Sequence, residues 1–195
     1  MNPFRSTRVF LLCLMGGSIL LRIALAAAGG QNTFGDEARY QRGVQLYLAL
    51  LHGDIPGLHA VAASPEHSLF SVVCALAAAG QHLLAQLTPF GDFSRHENIE
   101  FTQWLGAAVL AAFSALNILW VHQLARAAGA REEEAGWAAL LMAASNTGFF
   151  YTRHLLPYPG AIGVALAALV TSVRRPTPRG AALAGVMTGA TYHVY

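Results

Sequence analysis

The stretch Gly35–Tyr40, GDEARY, places two carboxylates and an arginine directly after a long apolar run. A carboxylate can accept the proton of an attacking hydroxyl group, and the forked donors of an arginine match a phosphate. Asp36 and Glu37 are therefore candidates for acid–base chemistry, with Arg39 beside them. The same residues also suit the exposed start of a helix, in which Asp36 accepts hydrogen bonds from first-turn amides. Composition alone favours this capping role without excluding the chemical one.

This stretch opens a loop, residues 29–100, that is too long for a simple connection between helices. After Asp36, apolar residues recur at helical spacing and predict an amphipathic helix on a membrane surface. Its apolar positions are Tyr40, Val44, Tyr47, Leu48 and Leu51, and Arg39 and Arg42 share the polar side.

Histidines collect on the same predicted side of the membrane. They are His52, His59, His67, His82, His96 and His154. A metal site requires several ligands that converge in space, which spacing along a chain does not show. We therefore assign no metal site from the sequence.

Composition places these residues in a membrane protein. The 195-residue chain is 55% hydrophobic and only 11% charged, whereas soluble domains carry about 25% charged residues. All 12 basic residues are arginines and the net charge is +2. This net charge is too small to indicate a nucleic-acid-binding protein. Cys13 and Cys74 lie in apolar runs without the spacing of metal ligands.

Apolar runs of near 20 residues predict membrane-crossing helices. The predicted fold is all-α and polytopic, one transmembrane domain with helices in its first outer loop. The predicted spans are 9–28, 101–125, 135–151, 158–173 and 180–195. Since the fifth run stops partway through a span, we expect residues 1–195 to be the N-terminal part of a longer, truncated domain.

Ser68–Leu87 is apolar enough to cross a membrane, but Gln81, His82 and Gln86 interrupt it. Basic residues favour the cytoplasmic side, and a surface position for this run puts about seven arginines inside and about four outside. Crossing would reverse that ratio. We therefore expect a cytoplasmic N-terminus, an external Asp36, and Ser68–Leu87 as a helix on the outer interface.

Two alternatives concern the first span. A cleaved signal peptide is disfavoured because Arg22 interrupts the run and the run exceeds the usual h-region, and cleavage would still leave Asp36 outside. Arg22 itself lies near the predicted outer end of the span, where it could snorkel upward, pair with Asp36, or contact a phosphate.

The boundary between the second and third spans carries local signals. Gly129 follows the second span and predicts a left-handed helix end. Glu132, Glu133 and Glu134 then predict the first turn of the third span, where carboxylates favour the positive end of the helix dipole. Three adjacent carboxylates point in different directions on a helix, so capping is favoured over a catalytic triplet.

Three segments together resemble a known family. They are DEARY after the first span, SPEHSLFSVV at the start of the surface helix, and FFYTRHLLPYPGAIGVALAAL from the third span to the fourth. Their order and spacing resemble the start of the GT-C-fold membrane glycosyltransferases. The branch with the lipid A aminoarabinose transferases and the protein O-mannosyltransferases is the most similar.

The resemblance implies roles for individual residues. Asp36 matches the loop aspartate that serves as catalytic base in the family, and Glu37 matches its acidic neighbour. The other residues implied to bind substrate are Arg39, Tyr40, Glu66, His67 and Arg153. The chain departs from the family where Tyr158 and Gln103 replace an acidic residue and an arginine, and where Ser68-Leu69 replaces Pro-Pro.

The implied reaction transfers a sugar, with inversion, from a polyprenyl-phosphate donor to a hydroxyl of a lipid, glycan or protein acceptor. It would take place at the outer face of a bacterial inner membrane, and the resemblance leaves the cofactor open, with a divalent cation as the candidate. The alternatives are an inactive relative, or a lipid or solute transporter. Transporter sites lie at mid-membrane on broken helices, whereas polar residues here crowd the outer loop.

Overall fold

The computed structural model describes residues 7–27, 38–63, 68–87 and 104–194. All regular secondary structure in these ranges is helical, which confirms the all-α class. The helices are α1 (Thr7–Ala27), α2 (Ala38–His52), α3 (Ile55–Ala62), α4 (Ser68–Ala85), α5 (Trp104–Ala127), α6 (Glu132–Ala143), α7 (Asn146–Arg153), α8 (Tyr158–Arg174) and α9 (Pro178–Val194).

Helix α5 is the centre of the bundle and packs against α1, α6 and α8, while α9 packs against α8. Its buried face is built largely from small side chains, including Ala107, Ala111, Ser114 and Ala115. Small residues let helix backbones approach closely, which is how helices associate in the absence of a hydrophobic driving force between them.

Three helices in the described part are long and apolar enough to cross a bilayer: Thr7–Ala26, Ser68–Ala85 and Leu105–Ala127. Tyr158–Arg174 is a shorter apolar helix. Large apolar side chains on α1, such as Leu12 and Leu20, are mostly exposed, as expected for a surface that contacts lipid. The chain therefore has the character of a membrane protein.

One end of the bundle, which we call the Glu132 end, is held by polar contacts. The Oε2 atom of Glu132 lies 2.9 Å from Arg126 Nε, and its Oε1 atom lies 3.3 Å from His122 Nε2. Thr7, at the start of α1, also hydrogen-bonds the Glu132 carboxylate. The start of α1, the end of α5 and the start of α6 thus meet at this end.

The opposite end, which we call the Tyr40 end, is apolar inside. Tyr40 of α2 is buried in a cluster with Ala26 at the end of α1 and Ala107 at the start of α5. Successive long helices therefore run in alternating directions between the two ends. Which end faces which side of a membrane stays a prediction.

Helices α2, α3 and α4 form a layer at the Tyr40 end, and α2 packs closely on α4. A Cβ atom at Gly43 of α2 would overlap the Cys74 side chain of α4. The predicted helix after Asp36 is present from Ala38, with Tyr40 buried and Val44 packed on the core. Leu51, predicted on the same apolar face, is half exposed.

Helix α4 runs along the Tyr40 end. Ser68 Oγ lies 3.2 Å from Nδ1 of His193, near the end of α9. Two turns later Cys74 joins the Tyr40 cluster, and Gly80 lies against Leu105 at the start of α5. All three contacts involve the same end of the bundle, although α4 is long enough to cross a bilayer. Its position at the membrane surface stays a prediction.

The predicted span 135–151 is not one helix. Helix α6 ends at Ala143, Ser145 is the N-cap of α7, and α7 begins at Asn146. The sequence Ser145-Asn146-Thr147 explains the break, because short polar side chains offer the backbone local alternatives to helical hydrogen bonds. The other predicted helices within the described ranges form, with boundaries that shift by a few residues.

The predicted signals between α5 and α6 are confirmed. Gly129 has a φ of 92°, which is the left-handed conformation expected after a helix end. All three glutamates lie in the first turn of α6. The Arg131 amide donates to Glu134 Oε2 over 2.8 Å, which forms the reciprocal hydrogen bond of a capping box.

Candidate functional site

Four of the predicted site residues lie outside the described part of the chain: Asp36, Glu37, Glu66 and His67. Their roles stay predictions from the resemblance. Arg153 is the last residue of α7, and only its place in the helix is described. The described residues that follow these positions closely in the sequence include Arg39 and Tyr40 in α2, Phe70 in α4, and the α7–α8 turn.

Arg39 reaches from the start of α2 to the start of α8. Its Nη1 atom donates to the Tyr158 hydroxyl over a long 3.5 Å. Tyr158 is the residue that stands where the resembling family has a carboxylate. This contact is therefore a hydrogen bond between a cation and a neutral hydroxyl group, where the family pattern would give an ion pair.

Tyr158 belongs to an aromatic pair at the α7–α8 turn. Its ring centroid lies 4.4 Å from that of Tyr151, with the rings tilted by 35°. Phe150 and His154 form a second close pair, with centroids 4.5 Å apart. Offset and tilted aromatic pairs are favourable arrangements, so this turn presents a fixed aromatic surface beside Arg39.

The turn itself has an uncommon backbone. Leu155 has a φ of 52°, in the left-handed region that non-glycine residues rarely adopt. Its side chain is buried in the Tyr40 cluster. Such a conformation persists when surrounding packing fixes it, and here the buried side chain is what holds the turn between Arg153 and Tyr158 in place.

Tyr40 is 1% exposed and its ring lies directly on Gly106 of α5. Burial raises the pKa of Tyr40, because the phenolate would lose its hydration. Its hydroxyl has no hydrogen-bond partner among the described residues. The ring of Tyr40 therefore packs in the core. The substrate contact of Tyr40 stays a prediction, and it would involve the hydroxyl group.

The three segments of the resemblance meet in the Tyr40 cluster. Tyr40 follows Asp36-Glu37, Phe70 follows Glu66-His67, and Leu155 follows Arg153. All three side chains belong to one buried cluster. The structure therefore brings the segments together at one end of the bundle, although they are far apart in the sequence.

Arg22 is not turned to the outer surface, as snorkelling would require. It is 1% exposed within the bundle. Its Nη1 atom donates to the Ser18 carbonyl and its Nη2 atom to the Ala143 carbonyl, each over 3.3 Å. Its guanidinium also lies 4.4 Å from the ring centroid of Phe149. A cation at the last carbonyls of α6 is favoured by the helix dipole.

Sequence reasoning missed these partners of Arg22, since they lie on other helices. Two polar residues inside apolar spans, Ser18 and Ser114, are the signal that was present. Both are buried, and their hydroxyls have no partner within the described ranges. Together they indicate a polar site inside the bundle near α1.

The histidines do not form a metal site in the part of the chain that the structure covers. His82 Nδ1 lies 2.5 Å from the Tyr47 hydroxyl, and His154 is buried beside Phe150. No group of three or more histidine, cysteine or carboxylate side chains among the described residues could hold a metal ion.

Comparisons with known proteins give no match. No family model, no curated protein and no solved structure is similar to the chain.

Proposed function

We propose that the chain is the N-terminal part of a membrane glycosyltransferase that takes a sugar from a polyprenyl-phosphate donor. The single observation that supports this most strongly is the Tyr40 cluster, which joins Tyr40, Phe70 and Leu155. These residues belong to the three segments that resemble the GT-C-fold enzymes. A common site formed by the three segments requires them to lie at the same end of the bundle, as they do here.

In this proposal the reaction takes place at the Tyr40 end. Asp36 accepts the proton of the acceptor hydroxyl as its oxygen attacks the anomeric carbon of the sugar. The bond between that carbon and the phosphate oxygen breaks, and the polyprenyl phosphate leaves with the bonding electrons. Attack from the opposite face inverts the anomeric centre.

Arginine suits the phosphate of the leaving group because its donors match phosphate oxygens in pairs. Among the described arginines of α2 we favour Arg39 over Arg42, because Arg39 lies in the first turn and is half buried, whereas Arg42 is exposed. The contact of Arg39 with the Tyr158 hydroxyl helps to position the guanidinium. Arg153 is the second candidate from the resemblance.

The test uses the full-length protein in lipid vesicles with a radiolabelled sugar on polyprenyl phosphate. We expect cleavage of the sugar–phosphate bond, release of polyprenyl phosphate, and a product with the inverted anomer. A nucleotide sugar as donor should give no product. Movement of the intact donor or of a solute across the bilayer without cleavage would contradict the proposal and favour a transporter.

A further inference from the structure

The break between α6 and α7 leaves backbone groups that need partners. Helix α6 ends at Ala143, and α7 begins at Asn146. The last carbonyls of a helix have no amide partner farther along the same helix, and in apolar surroundings the protein itself must supply one. The Ala143 carbonyl accepts a hydrogen bond from the side chain of Arg22 on α1. A side chain from another helix thus completes the end of α6.

Arg22 contacts both sides of this break. Its Nη2 atom donates to the Ala143 carbonyl of α6 over 3.3 Å, and its guanidinium carbon lies 4.4 Å from the ring centroid of Phe149 in α7. Its Nη1 atom donates over 3.3 Å to the Ser18 carbonyl of its own helix. The negative end of the α6 dipole and the face of an aromatic ring both attract a cation. Arg22 therefore joins α1, the end of α6 and the start of α7 at one place.

Gly148 shows how closely α7 lies to this guanidinium. A Cβ atom at Gly148 would lie 3.0 Å from Arg22 Nη2, which is tighter than ordinary van der Waals contact. One turn later, the Thr152 hydroxyl donates to the Gly148 carbonyl over 2.8 Å. Helix α7 packs against α1 and α5. Its placement in the bundle thus depends on the space that Arg22 and Gly148 share.

Helix α7 transmits this placement to the Tyr40 end. It has eight residues and is roughly 12 Å long, so a shift at Phe149 moves the whole helix. Two residues later, the Tyr151 ring centroid lies 4.4 Å from that of Tyr158. The Tyr158 hydroxyl accepts a hydrogen bond from Arg39 over 3.5 Å. A continuous series of contacts therefore joins Arg22 to the arginine that we assign to the donor phosphate.

We propose that Arg22 is a positioning residue for sugar transfer, which holds the α6–α7 break so that Tyr151 supports Tyr158 and Arg39 at the donor phosphate. Arg22 acts through these residues, because it is itself 1% exposed inside the bundle. A planar guanidinium can donate to two carbonyls and stack on a ring at the same time, whereas the compact ammonium of a lysine cannot. The inference rests on the proposed function.

The first test is the Arg22→Met variant of the full-length protein in lipid vesicles. The Nε atom of Arg22 has no partner among the described residues, and a hydrophobic replacement for a buried charge is often neutral or stabilising. We therefore expect global stability to persist while α7 loosens. Hydrogen-exchange mass spectrometry should show faster exchange at 146–156 and unchanged exchange at 107–118 in α5.

The matched control is Arg8→Met, which removes a positive charge from an exposed position of α1 and should exchange like the wild type in both ranges. Unchanged exchange at 146–156 in Arg22→Met would overturn the proposal. Faster exchange throughout the bundle would also overturn it, because it would show that Arg22 supports the fold as a whole and not the break.

The second test measures transfer kinetics with a polyprenyl-phosphate sugar. In Arg22→Met we expect the KM for the donor to rise by about tenfold, the effect of one lost hydrogen bond to a charged group, with the KM for the acceptor unchanged. Loss of folded protein would lower the maximal rate with both KM values unchanged, and that result would contradict a positioning role. Arg22→Lys should not restore the donor KM. Full rescue by lysine would show that charge alone is required, which would overturn the proposal.

A glycine variant tests the same contact with Arg22 intact. Gly148→Ala should displace the guanidinium and raise the donor KM, whereas Gly16→Ala, on α1 with open space for a Cβ, should not. Equal donor KM values for these two variants would contradict the proposal. If the wild type transfers no sugar, the proposed function fails, and exchange at 146–156 then shows separately whether Arg22 holds the break. If the wild type transfers sugar and every variant keeps its donor KM, only the positioning role fails.

Discussion

At the scale of single residues, the packing at the Tyr40 end depends on Gly106, because a glycine has no side chain. The Tyr40 ring occupies the space where a Cβ at Gly106 would lie. This contact joins α2 to α5 and fixes the helix that follows Asp36. The main role of Tyr40 is therefore to position the start of α2 through its packing.

We predict that Gly106→Ala destabilises the protein by about 1–3 kcal/mol, the usual cost of overpacking a filled core. The better helix propensity of alanine offsets about 0.5–1 kcal/mol of the gross strain. Thermal unfolding in detergent, followed by tryptophan fluorescence, measures the change. The matched control is Gly185→Ala in α9, which has open space for a Cβ and should be neutral or stabilising. Equal unfolding temperatures for the two variants would show that Tyr40 does not depend on Gly106.

At the scale of helices, periodicity and apolar length predicted most of the described elements. The apolar run predicted as the first span, 9–28, is the helix Thr7–Ala27, and the run predicted as the fourth span, 158–173, is the helix Tyr158–Arg174. These signals are local, because the apolar length of a segment is a property of its own sequence. Capping at Gly129 and Glu132–Glu134 is local too, and it was also predicted.

The break at Ala144–Ser145 and the short helix α3 were not predicted. Helix α3 depends on a cap in which Asp54 accepts from the Gly57 amide over 3.1 Å, a signal present in the sequence but weak beside the apolar runs. The break depends on tertiary contacts as well, since Arg22 from α1 binds the Ala143 carbonyl at the end of α6. Partners on different helices are not visible in the order of residues along the chain.

The contact between α1, α5 and α6 at the Glu132 end should weaken in acid. The hydrogen bond from Thr7, followed by the charges of Arg126 and His122, holds the pKa of Glu132 below its usual value near 4.5. A carboxyl group with a lowered folded-state pKa stabilises the fold above its unfolded-state pKa. That stabilisation is lost as the pH falls through the lower, folded-state pKa.

We predict that Glu132→Gln speeds amide hydrogen exchange at 126–135 relative to the wild type at pH 7, and that the difference between the two is smaller at pH 3, because part of the wild-type stabilisation is lost as the pH falls below the usual glutamate pKa of about 4.3 toward the folded-state value. Hydrogen-exchange mass spectrometry at both pH values makes the comparison. Glu133→Gln, on an exposed neighbour, is the control and should match the wild type throughout. A difference between Glu132→Gln and the wild type that is as large at pH 3 as at pH 7 would contradict the assignment to the ionised carboxylate.

At the scale of the whole molecule, the alternating helices place the predicted outer and inner connections at opposite ends. Tyr40 and Leu155 share a cluster at one end, and Glu132 contacts Thr7 at the other. The arginine count then predicts that the Tyr40 end faces outward. The convergence of the Tyr40 cluster could not be predicted from composition, because it depends on how the spans pack.

We predict that a cysteine at Asn32 reacts with a membrane-impermeant maleimide in intact cells and that a cysteine at Ala130 reacts only after lysis. The natural Cys13 and Cys74 are first replaced by alanine, which removes background labelling. The arginine distribution is the physical reason, since basic loops are retained in the cytoplasm. Labelling of Ala130 but not Asn32 in intact cells would invert the topology and place Asp36 inside.

The proposed reaction is tested most directly by turnover of the Asp36→Asn variant with a polyprenyl-phosphate sugar. Asparagine can still cap a helix but cannot accept the proton, and general-base catalysis typically contributes about 10²–10⁴-fold. We expect Asp36→Asn and Asp36→Ala to lose activity to a similar degree. Asp54→Asn, at an aspartate with a visible capping role, and Glu37→Gln are the comparisons, and Asp54→Asn should remain active. Normal turnover by Asp36→Asn would contradict the account and leave GDEARY as the start of a helix.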